Sequence, residues 1–280
     1  MRKMKVAKTD FTKESLPQNR FEVFTDVFKI RFRTLTQIGL FLLLFLIPFF
    51  IVRLMQFSTL ITLSSELSTS SITEEEFQAS YISIKIITNL LNIITLMIAS
   101  VGFAGGMKVI RRLAWGEPVF FKEDFISGIK QNAKRYVLFA FILGLFNFLN
   151  QYVNYSPISN QFVKGIPFGI FFVIIVPTFL IIFARTPIYN EKLGQSFKHS
   201  FLLYVKTLPK TALASLIMYS IFLLNLINNL TVWMFSFIIY VIVLLPLFLL
   251  GYFLYCGWMF DKYINATFYP EIVDKGLYRD

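Results

Sequence analysis

The 280-residue chain is 56% apolar and only 15% charged, with 34 Phe against 16 Asp plus Glu. Water-soluble proteins carry roughly a quarter of their residues as charges, so this chain lacks the polar side chains to cover itself in water; disorder, disulfide scaffolds and collagen-like repeats are excluded as well. A net charge of +11 suggests nucleic acid only when it is spread over a soluble fold; here it sits between apolar runs, and no nucleic-acid partner is expected.

Residues 1–37 form a basic N-terminal segment. No signal peptide is expected, because the first apolar run starts only at Thr34 and no clean small-residue cleavage site follows. Phe21, Phe24, Phe28, Phe32 and Leu35 recur at three- and four-residue steps, with Glu22, Asp26, Lys29 and Arg33 between them. That pattern predicts an amphipathic helix lying in the membrane interface. A membrane-crossing helix needs roughly 20 mostly apolar residues, which Thr34 to Val52 supplies.

Residues 56–80 are rich in Ser and Thr, acidic, and free of Lys and Arg. Thr73 with Glu76 reads as a capping box, so the second helix starts there, with Glu74 to Glu76 at the positive end of its dipole. The uncharged run Ile86 to Met107 contains Asn89, Asn92 and the pair Gly102 and Gly106 in a GxxxG arrangement. Small residues let helices approach closely, inside the molecule or between subunits. Phe121, Phe125, Ile129 and Ala133, beside Lys122, Asp124, Lys130 and Lys134, repeat the amphipathic rhythm.

On the third run, Tyr136 to Val163, Asn147, Asn150, Gln151 and Asn154 stack on one helical face, accompanied by Tyr152 and Tyr155. Together with Asn92, these neutral amides suit a substrate path for hydroxyl-rich molecules. Hydrogen-bonded glue between helices is the plainer reading of the same amides. Gly165 to Ala184 is the fourth run. Leu193, Phe197, Phe201, Tyr204 and Leu208, beside Lys192, Lys198 and Lys206, give a third amphipathic segment. Each of the three segments reads either as a separate interfacial helix or as an extension of the span it precedes.

The last run, Thr211 to Phe260, is 50 uncharged residues long. As one helix it would measure about 75 Å, so a turn is expected at Asn225, Asn228, Asn229 and Thr231. Pro48, Pro177 and Pro246 should kink their spans. The expected fold is an all-α membrane protein, a bundle of six transmembrane helices in three in-out-in hairpins, with amphipathic cytoplasmic interfacial helices. Its divisions are the segment 1–37, a transmembrane domain 38–260 and a tail 261–280. Of the 27 Lys and Arg, 24 fall on the side of the two termini and only Arg53, Lys85 and Lys164 on the other. Both termini are therefore expected to be cytoplasmic in a multi-pass cell-membrane protein, with the lipid bilayer and its anionic headgroups as the first partner.

Catalytic groups are scarce. His199, Ser200 and a nearby carboxylate form a triad only on paper, and Cys256 in an apolar helix reads as a small hydrophobe. No enzyme activity, cofactor or metal is expected. The uncharged runs contain no Asp, Glu or His, which argues against proton-driven transport.

The stretch from Arg111 and Arg112 through Trp115, Gly116, Glu117 and Pro118, followed by Asp124, Phe125, Lys130 and Asn132, resembles the YesL-like family of small multi-span proteins of Gram-positive bacteria. Thr207-Leu208-Pro209 and Asp261 are in keeping with it. The resemblance implies no established activity and no catalytic residue. It implies an accessory or assembly role in carbohydrate uptake, with importer permease or ATPase subunits, or the chain itself, as partners. Glu191 and Pro209 are spaced like the coupling loop of importer permeases, but Phe197 stands where that loop needs glycine. The rival expectation is a transporter with the amides lining its path.

Overall fold

The structure is a computed structural model that describes residues 16–155, 160–227 and 229–278, apart from the side chain of Asn225. Among the described residues it is helical, with no strand. Helix α1 (Arg20–Ile30) is capped by Asn19, whose side chain accepts from the Glu22 amide. After a break at Arg31 come α2 (Phe32–Ser68), α3 (Glu74–Ala114), α4 (Phe121–Asn154) and α5 (Gln161–Arg185). Helix α6 (Leu193–Lys206) turns sharply at Thr207 into α7, which starts as Leu208–Met218 and tightens to a 3-10 helix over Tyr219–Leu226. Helix α8 (Leu230–Phe268) completes the bundle.

Five helices (α2, α3, α4, α5 and α8) are long and apolar enough to cross a membrane, with a sixth if α6 and α7, bent by 107°, count as one span. The core gathers Ile38 and Leu42 of α2, Val109 and Ile110 of α3, and Val241, Leu250 and Phe260 of α8. Large apolar side chains such as Leu44, Leu213 and Phe235 face outward, as a lipid-facing surface requires. Helix α3 has 41 residues, about 60 Å at 1.5 Å each, so it extends well beyond about 30 Å of hydrocarbon.

The expected capping box forms: Thr73 Oγ1 accepts from the Glu76 amide at 3.2 Å and Glu76 Oε2 accepts from the Thr73 amide at 2.8 Å. The long last run breaks in the expected region, where Asn229 caps α8 by accepting from the Val232 amide; Asn228 and the side chain of Asn225 lie outside the described residues. Two of the three amphipathic segments, α1 and α6, are separate helices, with Phe21, Phe28, Phe197 and Phe201 exposed. The second is not separate. No proline interrupts Phe121 to Tyr136, and Gly128 is packed against α3, so the segment runs on as the first turns of α4, with Phe125 buried beside Phe41 and Gly105.

Gly102 and Gly106 both face α2. A Cβ at Gly102 would lie 2.7 Å from the Phe45 ring, and one at Gly106 would lie 3.2 Å from Ile38. The GxxxG pair is thus an internal packing seam.

Two prolines explain two irregular turns. A proline ring clashes with the carbonyl four residues earlier and offers no N–H to it. Just before Pro177 and Pro246 the helix widens to π geometry, over Phe171–Ile175 and Tyr240–Leu244. The carbonyl four residues before Pro177 belongs to Val173, and the Tyr204 hydroxyl donates to it; Tyr219 donates to the neighbouring Phe172 carbonyl. The carbonyl four residues before Pro246 belongs to Ile242. It lies against Gly39 of α2, where any Cβ would overlap it. One freed carbonyl is satisfied by a tyrosine, and the other is accommodated by a glycine.

Candidate functional site

The basic end of the bundle is built by arginines bonded to loop carbonyls. Helix α3 ends in a Schellman turn: Gly116, at φ +67°, follows the cap, with its amide bonded to the Leu113 carbonyl and the Glu117 amide to that of Arg112. Around this turn Arg31 donates to the Glu117 carbonyl at 3.1 Å and Arg112 to the Pro118 carbonyl at 3.0 Å. Arg111 reaches the Pro187 carbonyl at 2.9 Å and stacks on Trp115. Arg135 donates to the Tyr189 carbonyl at 3.3 Å and to Asn190 Oδ1. Arg20 donates to the Lys275 carbonyl at 2.8 Å and pairs with Asp261 at 2.5 Å. Arginine suits this task because its planar fork serves two acceptors at once.

The same bonds draw the tail back onto the α3 turn. Lys275 sits over Trp115 and lies 3.6 Å from Glu117, the Tyr278 amide donates to the Pro17 carbonyl, and Gly276, at φ +86°, packs on Trp115. Most lysines take the opposite part, although Lys108 is buried and donates to Ser127 Oγ at 2.6 Å and Gln131 Oε1 at 2.8 Å. Lys29, Lys122, Lys130, Lys134, Lys192 and Lys198 are exposed, so this face is internally tied and outwardly cationic.

The residues that carry the family resemblance meet here. Arg112 Nε lies 3.1 Å from Asp124 Oδ1 and 3.8 Å from Glu117, and Asp124 Oδ2 accepts from the Phe120 amide to start α4. Phe125 and Asn132 are buried and Lys130 is exposed. Beside them Arg185, 1% exposed, donates to Glu191 at 2.6 Å and stacks against Tyr189 and Phe260. Burial pushes the Tyr189 hydroxyl above the usual phenol range, and it donates to Asn265 Oδ1 at 2.6 Å. His199 Nδ1 lies 3.3 Å from Glu191 Oε1, whereas Ser200 is fully buried with its Oγ unpartnered. Histidine and serine are therefore not assembled as a triad, and the Glu191 loop is tied to its own bundle.

The amides lie at the opposite end and do not join into one network. Asn150 is buried with neither Nδ2 nor Oδ1 partnered, and Asn92 Oδ1 is also buried and unpartnered. Asn147 and Gln151 are half-buried. Asn154 is exposed and donates back to the Asn150 carbonyl of its own helix, while Lys164 donates to the Asn154 carbonyl.

Sequence reasoning missed a hydroxyl ladder on α7. Thr207, Thr211 and Ser215, each four residues on, are buried. Thr207 and Thr211 lie 2.7 Å apart, Thr211 meets the Tyr255 hydroxyl at 2.8 Å, and further along Ser220 meets Tyr240 at 3.0 Å. The four-residue spacing is visible in the sequence; that it faces the tyrosines of α8 is not. Among the described residues no cluster of three His, Cys, Asp or Glu is placed to hold a metal. In comparisons with family models, curated proteins and solved structures, nothing matches this chain.

Proposed function

We propose that the protein spans the membrane six times, as three hairpins with both termini cytoplasmic, and serves as a non-catalytic accessory or assembly subunit of a larger membrane complex. The observation that carries this reading is the basic end: arginines lock loops and tail into one face while lysines stay outside. A face tied together in this way, with its free charge outward, suits docking of a protein partner. The 24-to-3 division of Lys and Arg supports placing that face in the cytoplasm. The resemblance around Arg112, Gly116, Glu117 and Asp124 suggests an oligosaccharide importer as the complex, with permease or ATPase subunits as neighbours.

Gentle native extraction of the tagged chain, followed by mass spectrometry of co-purifying proteins, tests it. The expected result is a stoichiometric permease or ATPase that is lost when Lys122 and Lys130 are changed to Glu. Recovery of the chain alone, or only with itself, overturns it.

A second reading is favoured by one observation, the unpartnered buried amides of Asn150 and Asn92. In that reading the chain carries a hydroxyl-rich substrate past them, and Asn150→Leu abolishes flux in reconstituted vesicles without unfolding the protein.

A further inference from the structure

Between α4 and the start of α6 lies a cavity of about 750 Å³. Its mouth carries Lys134, Arg135 and Lys192, and its wall includes Met97, Leu138 and Phe141. Leu138 and Phe141 are each 39% exposed, so the apolar wall is open at the molecular surface. Lys134 and Lys192 are exposed on the basic end. Glu191 also lines the mouth, but its Oε1 accepts from Arg185 at 2.6 Å, which neutralises it. The three cations of the rim therefore act without an opposing free carboxylate among the lining residues.

We propose that this cavity is a binding site for one anionic phospholipid, with its headgroup phosphate between Lys134, Arg135 and Lys192 and an acyl chain along Met97, Leu138 and Phe141. Two features select a diacyl lipid over a free anion. The wall is apolar, which a hydrated anion does not reward. The cationic rim stands at one edge of that wall, matching the division between headgroup and chain. Arg135 is already held by Tyr189 and Asn190, so a phosphate here bridges α4 to the loop before α6. The bound lipid would brace two segments that Arg135 already ties together.

Native mass spectrometry of the purified full-length protein in mixed micelles tests the site independently of membrane orientation and of any partner. The probes are phosphatidylglycerol, phosphatidylcholine and inorganic phosphate. Phosphatidylglycerol is expected to be retained over phosphatidylcholine. Lys134→Gln with Lys192→Gln should weaken retention roughly 30-fold, the worth of two surface cations. The equally neutralised pair Lys29→Gln with Lys122→Gln, which does not line the cavity, should change it less than about 2-fold. Leu138→Ser should also weaken it while leaving the lysines in place. Equal retention of the two lipids, equal loss in both double variants, or displacement of phosphatidylglycerol by inorganic phosphate overturns the proposal.

Discussion

Replacing Gly39 with alanine puts a methyl group where the backbone of Ile242 already lies. The new Cβ would stand 2.6 Å from Ile242 Cα and 2.7 Å from its carbonyl carbon, where ordinary contact begins near 3.4 Å. Helices α2 and α8 must then part by close to 1 Å, because neither partner is a flexible side chain. Overpacking a tight contact costs about 1–3 kcal/mol, and this one belongs at the upper end. Alanine returns about 1 kcal/mol as a better helix former, so the expected net loss is about 2 kcal/mol. Reversible unfolding in mixed micelles measures it. Gly165→Ala and Gly169→Ala, with nothing within 4 Å of the new Cβ, should instead gain about 0.5–1 kcal/mol each. The explanation also couples Gly39 to Pro246, since the Ile242 carbonyl projects only because residue 246 offers it no N–H. Pro246→Ala should let that carbonyl rejoin the helix and soften the effect of Gly39→Ala by about 1 kcal/mol in a double-mutant cycle. Full stability of Gly39→Ala, or strict additivity with Pro246→Ala, would refute the reasoning.

Three further outcomes follow from the same coordinates. Gly276→Ala, strained at φ +86° and with its Cβ 2.9 Å from Trp115 Cα, should free the tail, so that hydrogen exchange over residues 270–278 quickens while the bundle core stays protected. The Glu76 carboxyl is held below its usual range, first by the Thr73 backbone amide and then by the Thr73 hydroxyl. Its stabilisation of the α3 start is therefore present above the ordinary glutamate range and lost as pH falls through the depressed value; exchange of the first α3 amides should rise on acidification, and Thr73→Ala should remove that dependence. Asn150→Leu removes a buried amide without partners, a group that costs roughly 1–3 kcal/mol to leave unpaired, so unfolding measurements should find a gain of about 1 kcal/mol; a loss would mean that the amide glues helices.

Most of the helical layout was legible because hydropathy, capping and charge are local signals. Thr73 and Glu76 mark the α3 start by their spacing alone, and the break in the last run follows from its length. The lower-resolution part of the reading concerned what each helix faces. Amphipathic spacing is the same whether a segment lies separately, as α6 does, or continues a span, as at Phe121 to Ala133; the sharp turn at Thr207 and the absence of one near Ala133 decide between them. Similarly, Asn147, Asn150, Gln151 and Asn154 share a face by arithmetic, yet burial separates them, since only Asn150 is enclosed. Pro177 and Pro246 were legible as points of irregularity, which take the form of π turns. That their freed carbonyls meet Tyr204 and Gly39 depends on which helices become neighbours, which no window of sequence contains.

The basic charge shows why a count of Lys and Arg mixes two kinds of information. Topology depends on how many cations flank each span, and for that purpose Arg111 and Lys122 are equal. In the folded bundle they are not. Arg20, Arg31, Arg111, Arg112 and Arg135 each donate to a backbone carbonyl of a loop or of the tail, groups that would otherwise need water. A lysine ammonium is a point charge without the planar fork that donates to such a carbonyl while stacking on a ring. Arg111→Lys therefore preserves the charge count and should preserve orientation, yet it removes the guanidinium that both stacks on Trp115 and reaches the Pro187 carbonyl. The bonded arginines at this end serve mainly to fold the loops, so the charge left to meet a lipid or a protein comes chiefly from exposed residues such as Lys122, Lys134 and Arg33, with Arg135 shared between the two tasks.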